Sequence, residues 1–331
     1  MCMHNRNHCM KYTLLLLCLL PLRLFAQKAS PEYAPERLLA HLQVLASDSL
    51  EGRNTAQAGQ KKAAEYIQKQ LESYGLKPGF TDSMGQVSWF QSYPFVKRFG
   101  DRREYFPYSE NVIGILPATD SCDEYLVVSA HYDHLGILKD SIYNGADDNG
   151  SGTSSVLEIA RRMAQSGLPR KRNVLFVFFS GEEKGLLGSK HLVANPFIPM
   201  NKLYADLNVD MIGRADSAHA ADSNFIYVIG SDKISKRLDT VLQQVNQETV
   251  QLQLDYTFNA ENDPNRFYYR SDHYNFAKNG VPVVFFFTGV HPDYHRPSDD
   301  VERINLFYLH KRMLLVYHLA QSLVNLEGPL D

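Results

Sequence analysis

Residues 174–183 read Val174-Leu175-Phe176-Val177-Phe178-Phe179-Ser180-Gly181-Glu182-Glu183. Six apolar residues stand in a row, and two adjacent acids follow after a serine and a glycine. A strand with one wet face alternates polar and apolar residues. A continuous apolar run of this length fits a strand covered on both faces, as in a parallel sheet packed between helices. Working outward, residues 125–130 form a similar run and lead into His131-Tyr132-Asp133-His134. Residues 206–211 contain Asp210 directly behind Leu207-Asn208-Val209, and residues 281–287 lead through a short loop to Tyr294-His295. Residues 112–116 and 225–229 are further strand candidates.

Between the strands lie stretches of helical period. Residues 55–74 place Ala63, Ile67, Leu71 and Tyr74 on one face, with Gly75 as the stop. Residues 151–164 turn Val156, Ile159, Ala160 and Met163 inward, and residues 304–325 form a terminal helix. Residues 80–109 are aromatic and irregular and read as loop or hairpin. Strands alternating with helices predict an α/β sandwich with a mostly parallel central sheet. With 331 residues, the expectation is one large domain.

Ligands of open α/β sheets bind outside the carboxyl ends of the strands. The polar endings should therefore meet on one rim. Their inventory is histidine and carboxylate without a thiol, which suits zinc, manganese or cobalt rather than an iron–sulfur cluster. Two cations at about 3.5–4 Å need a bridging carboxylate. Asp147 or Asp148 of the loop Gly145-Ala146-Asp147-Asp148-Asn149-Gly150-Ser151-Gly152 can supply it.

These residues carry a resemblance. The segments HYDH, GADDNGSG, SGEEKGLLGS, NVDMIG and YHRPSDD, together with the opening LASDSLEGRNTAQAGQKKAAEYI, resemble the M28 family of zinc peptidases in order and spacing. The likeness spans nearly all of the chain after residue 26. It implies a three-layer α/β/α sandwich of the zinc exopeptidase (phosphorylase/hydrolase-like) kind, with residues 27–331 as one catalytic domain and no protease-associated insert. It also implies two zinc ions per chain. His131 and Asp210 would complete one site, Glu183 and His295 the other, and Asp148 would bridge both. Glu182 would be the general base, Asp133 would accept the second ring N–H of His131, and Tyr294 would bind the oxyanion. A cis peptide would follow Asp148. The implied activity is an aminopeptidase acting on peptides, the second metal meeting the free α-amine. A glutaminyl cyclase of the same fold, with one zinc, is the nearest rival. Such enzymes typically carry tryptophan where this chain has Tyr294. A degenerate binding module is the second rival, although every implied ligand is present.

Blander readings stand beside these. Paired acids often sit at a helix start. The glycine loop lacks the lysine of a phosphate loop, and its aspartates would repel phosphate. His134 reads as structural or at the rim, His291 as loop surface, and His41 and His191 as non-ligands in helical stretches. Asp272, beside His273, is placed near the site indirectly. Tyr268, Tyr269 and residues 285–287 read as core or as pocket lining. No G-x-S-x-G elbow or H-E-x-x-H pair supports a serine hydrolase or a zincin.

A net charge of −3 gives nucleic acid and anionic lipid no purchase. Residues 1–26 read as a signal peptide, with Met10 as a possible start of translation and an apolar run too short to span a bilayer. The chain is expected to be exported, periplasmic or extracellular, with no stable membrane anchor. A lipid attachment at Cys18 is disfavoured, because no small residues precede it. Three of the four cysteines lie in this segment, which leaves Cys122 and no internal disulfide after cleavage.

Overall fold

The computed structural model describes residues 1, 35–99, 102–120 and 122–330. Residues 2–26 of the expected signal peptide lie outside them. The strand order is set by β5 (Asn173–Phe179), in which all seven residues are buried. Val174, Phe176 and Phe178 enter one core, and Leu175, Val177 and Phe179 enter another. One strand thus feeds two hydrophobic layers, which is why it lacks a polar face.

The other strands of the sheet are β1 (Lys77–Pro78), β2 (Phe90–Phe99), β3 (Arg102–Leu116), β4 (Tyr125–His131), β6 (Leu203–Val209), β7 (Phe225–Ile229), β8 (Gln253–Asp255) and β9 (Val283–Phe287). The order across the sheet is β1-β3-β5-β4-β6-β9-β7-β8, with β2 paired to β3. The four central strands β5, β4, β6 and β9 run parallel. Antiparallel β3 and β7 flank them. Helices α1 (Pro35–Leu45), α2 (Ala58–Ser73), α3 (Gly152–Gln165), α5 (Lys236–Glu248) and α7 (Leu306–Leu323) bury their apolar sides on one face. On the other face lie α4 (Leu187–Ala194) and α6 (His273–Ala277), through Leu192, Phe276 and Ala277. This is the expected α/β/α sandwich with a mixed, mostly parallel sheet.

Residues 80–109 resolve toward the hairpin. Strands β2 and β3 pair from Phe90↔Val112 to Phe99↔Arg102. The expected strand at 112–116 is the end of this longer one. Its outer part exposes Val96, Tyr105 and Tyr108, so no buried periodicity announced it. Helix α2 starts three residues later than its periodicity suggested, because residues 48–53 form a separate 3-10 turn.

Register levels the ends of the central strands. His131 closes β4 opposite Phe179, the last residue of β5. Asn208 pairs with Ser129, which brings Asp210 level with His131. The sheet therefore delivers its carboxyl-end residues to one edge.

Candidate metal centre

Five donors meet at that edge. His131 Nε2 stands 3.4 Å from Asp148 Oδ1 and 3.3 Å from Asp210 Oδ1. His295 Nε2 stands 3.1 Å from Asp148 Oδ2 and 3.3 Å from Glu183 Oε2. The two carboxylate oxygens of Asp148 thus face two different histidines. Ligands about 2.0–2.2 Å from a tetrahedral ion lie about 3.3–3.6 Å apart, which matches these separations. The donor set and its spacing therefore fit zinc.

Local geometry explains how each donor is held. Asp148 sits in the turn Ala146–Ser151, and the peptide Asp148-Asn149 is cis, as the resemblance implied. The Asp299 carboxylate accepts the main-chain N–H groups of Asp147 and Asp148, each at 3.1 Å. Asn149 Oδ1 accepts from Gly152 N and Met211 N, while its Nδ2 donates to Val209 O. Gly152 has no room for a Cβ, which would lie 2.4 Å from Val209 O. Glu182 and Glu183 open a short turn between Gly181 and Gly185, both at positive φ. Asp210 accepts from Ser271 Oγ at 2.7 Å. His295 adopts φ 55°, an uncommon conformation for a non-glycine residue, and stacks on Tyr294 with ring centroids 3.8 Å apart.

Asp133 departs from expectation in detail. His131 Nδ1 meets the main-chain oxygen of Asp133 at 3.2 Å, while the carboxylate lies 3.8 Å away. That carboxylate accepts from Thr55 Oγ1 at 2.7 Å and from Glu182 N at 3.1 Å. With Nδ1–H donating to the main-chain carbonyl, Nε2 is left free toward the acids. The carboxylate serves Glu182 instead.

Several residues escaped the sequence reading. His134 is buried at the centre, with Nδ1 2.8 Å from Glu183 Oε1 and 3.7 Å from Asp148 Oδ2. Two groupings, His131–Glu182–Asp210 and His134–Asp148–Glu183, each hold donor atoms within 4.8 Å of one another. His291 is buried rather than on the surface, 3.2 Å from Asp147 Oδ2. Arg53 is fully buried and donates to the main-chain oxygens of Leu45, Tyr132, Asn144 and Gly145. It ties the metal loop to Tyr132, the residue that follows β4, and the sequence reading assigned it no role. Its signal was only its inclusion in the opening segment. His41 binds Tyr66 and Tyr74 instead of the site, as expected.

The site calls for positive charge. Burial disfavours charge on His131, but Asp210, Glu182 and Asp148 outweigh it and hold its pKa well above the usual value. His295 behaves alike: burial opposes, but Asp148 and Glu183 raise it to about 10. Burial, aided by Asp210, Glu183 and Asp272, pushes the Glu182 carboxyl well above its ordinary range. Burial and the acids Asp148, Glu183 and Asp210 push the Tyr294 phenol upward, so its hydroxyl stays a donor. Asp272 lies behind the site, raised to about 7 by burial, and accepts from Ser189 Oγ. Beside the acids, Met211, Phe267, Phe285, Phe287 and Val290 form an apolar wall. Phe286 instead points into the core of the opposite face, and Tyr268 and Tyr269 line a neighbouring groove.

The model of peptidase family M28 matches residues 111–320. The chain belongs to peptidase family M28. Aminopeptidase YwaD of Bacillus subtilis is 30% identical over 207 residues, covering 60% of this chain. This M28 chain spans only 41% of the YwaD length. BSAP, a zinc aminopeptidase from Bacillus subtilis, superposes with a TM-score of 0.66 at 19% identity, over 87% of this chain and 94% of that one. Glutaminyl cyclase from Porphyromonas gingivalis superposes with a TM-score of 0.65 at 18% identity, over 87% and 98%. Both structural likenesses concern the fold.

Proposed function

We propose that the chain is a two-zinc aminopeptidase that removes N-terminal residues from peptides. The observation that carries this is Asp148, whose Oδ1 faces His131 and whose Oδ2 faces His295. One ion would be held by His131 and Asp210, the other by Glu183 and His295, and Asp148 would serve both. Bound zinc supplies Lewis acidity that acidifies water and polarises the scissile carbonyl. Glu182, raised by burial and neighbouring acids, takes the proton of the attacking water and passes it to the leaving amine. The protonated Tyr294 hydroxyl donates to the oxyanion. The apolar wall receives the N-terminal side chain. Asp133 positions Glu182 through its main-chain N–H and holds His131 by its own carbonyl.

Among the described residues no helix is long and apolar enough to cross a membrane. Export rests on residues 10–26, with their basic start and apolar run.

The test pairs zinc content of the purified chain with release of the N-terminal residue from a panel of aminoacyl-anilides, before and after chelation. Two ions and chelator-sensitive release are expected. One ion, no release and cyclisation of N-terminal glutamine would replace this reading with the cyclase. Asp148→Ala should lose both ions, and unchanged metal content in that variant would remove Asp148 from the bridge.

A further inference from the structure

The cavity beside the metal centre is lined by His131, the acids Asp148, Glu182 and Asp210, Tyr294 and the apolar wall, and it contains one lysine or arginine among the described residues, Arg270. The chain passes here because the next residue, Ser271, donates to Asp210 at 2.7 Å. Arg270 N bonds Phe267 O at 3.0 Å, and its guanidinium lies 4.8 Å from the centroid of the Phe267 ring. Stacking on the aromatic wall orients the fork without engaging its N–H groups. Among the described residues no acid pairs with it, whereas Arg214 holds Asp293 at 3.0 Å. Arg270 is exposed, at the mouth of the cavity.

The charge balance gives this cation a purpose. Asp148, Glu182, Glu183 and Asp210 carry four negative charges when ionised, and two divalent ions would cancel them. Arg270 then adds a positive charge that these four acids do not need for neutrality. A stacked guanidinium fork with free N–H groups matches a carboxylate in two-point geometry.

We infer that Arg270 is a specificity residue that binds a carboxylate of the substrate. This rests on the peptidase reading of the site. Two parts of a peptide offer that group: the C-terminal α-carboxylate of a short peptide, or the side chain of an N-terminal acidic residue. In the first case the chain favours dipeptides over longer or amidated peptides. In the second it favours N-terminal glutamate or aspartate over their amides.

The experiment compares kcat/KM for leucyl-alanine with leucyl-alaninamide, and for glutamyl-anilide with glutaminyl-anilide. It uses the zinc-loaded wild type, Arg270→Ala and Arg270→Lys. In one of the two pairs the wild type should prefer the acid by about 10–100-fold, mainly through KM. Arg270→Ala should bring that ratio to about one, and Arg270→Lys should restore part of it. Whichever pair responds identifies the source of the carboxylate. Ratios within twofold in both pairs, a preference that survives Arg270→Ala, or an equal loss of kcat on acid and amide would each overturn the inference. Calorimetric binding of the same peptides to the zinc-loaded Glu182→Gln protein reads the contact without turnover. If the wild type cleaves nothing, the peptidase reading falls, and this binding ratio still decides the role of Arg270.

Discussion

Glu182 and Arg53 show how much a single side chain can carry. Glu182 lies in the cavity beside His131 and Asp210, its N–H held by Asp133. Its carboxyl is pushed upward by burial and by like charges. Glu182→Gln keeps the shape and removes the base. It should retain two zinc ions and an unchanged melting temperature while kcat falls about 10²–10⁴-fold. A fully active variant would take the base role from Glu182. Arg53 has the opposite character, because it touches no reacting atom. Its buried guanidinium answers four main-chain oxygens, three of them in or just before the segments that carry His134 and Asp148. Arg53→Met leaves those carbonyls without a donor and should cost about 2–4 kcal/mol in denaturant unfolding. Because Asn144 and Gly145 lead into the metal loop, zinc affinity should fall as well. Unaltered zinc affinity in that variant would confine Arg53 to stability.

At the level of elements, the decisive piece is the turn from Gly145 into α3. Gly152 has ordinary helical angles, φ −66° and ψ −48°, so propensity alone favours alanine there by about 1 kcal/mol. Sterics oppose it: a Cβ would lie 2.3 Å from Asn149 Oδ1 and 2.4 Å from Val209 O. The main-chain oxygen cannot swing aside as a side chain can, so the clash should win. Gly152→Ala is expected to lower the melting temperature and reduce zinc stoichiometry together. A stabilised variant with two ions would show that the loop gives way freely. The same turn shows what was legible in the sequence. Strands such as β5 were readable because burial on both faces writes a continuous apolar run, and the rim residues were readable because each follows such a run. The bridging role was open between Asp147 and Asp148 until the resemblance favoured the second. In the structure Asp147 instead accepts from Gly213 N at 2.7 Å and faces His291. His134, His291 and Arg53 were missed because their partners lie on loops distant in sequence, and no local pattern encodes such a contact. The β2–β3 hairpin was open for a similar reason: its outer half packs on nothing that imposes a period.

For the whole molecule, metal binding, protonation and folding form one linked equilibrium. The stripped centre holds protons where cations would sit: His131 is raised well above its ordinary value and His295 to about 10, both against burial and by the facing carboxylates. The facing carboxylates thus favour the protonated ring at both positions in the metal-free chain. Zinc needs each ring neutral, so loading must expel about two protons. Calorimetric titration in two buffers of different ionisation enthalpy should read that number at pH 7, and the overall two-ion constant should rise about 100-fold per pH unit. The sign for stability runs the other way in the stripped chain. A histidine whose folded pKa exceeds its unfolded 6.5 contributes stability that is complete below about pH 6.5 and is lost as pH rises toward 10. Zinc-loaded protein has given up those protons already and should not show this decline. The gap in melting temperature between loaded and stripped chain should therefore widen between pH 6.5 and pH 10. A constant gap, or zinc uptake without proton release, would mean that the facing carboxylates do not govern these histidines and that charge repulsion among the acids is relieved elsewhere.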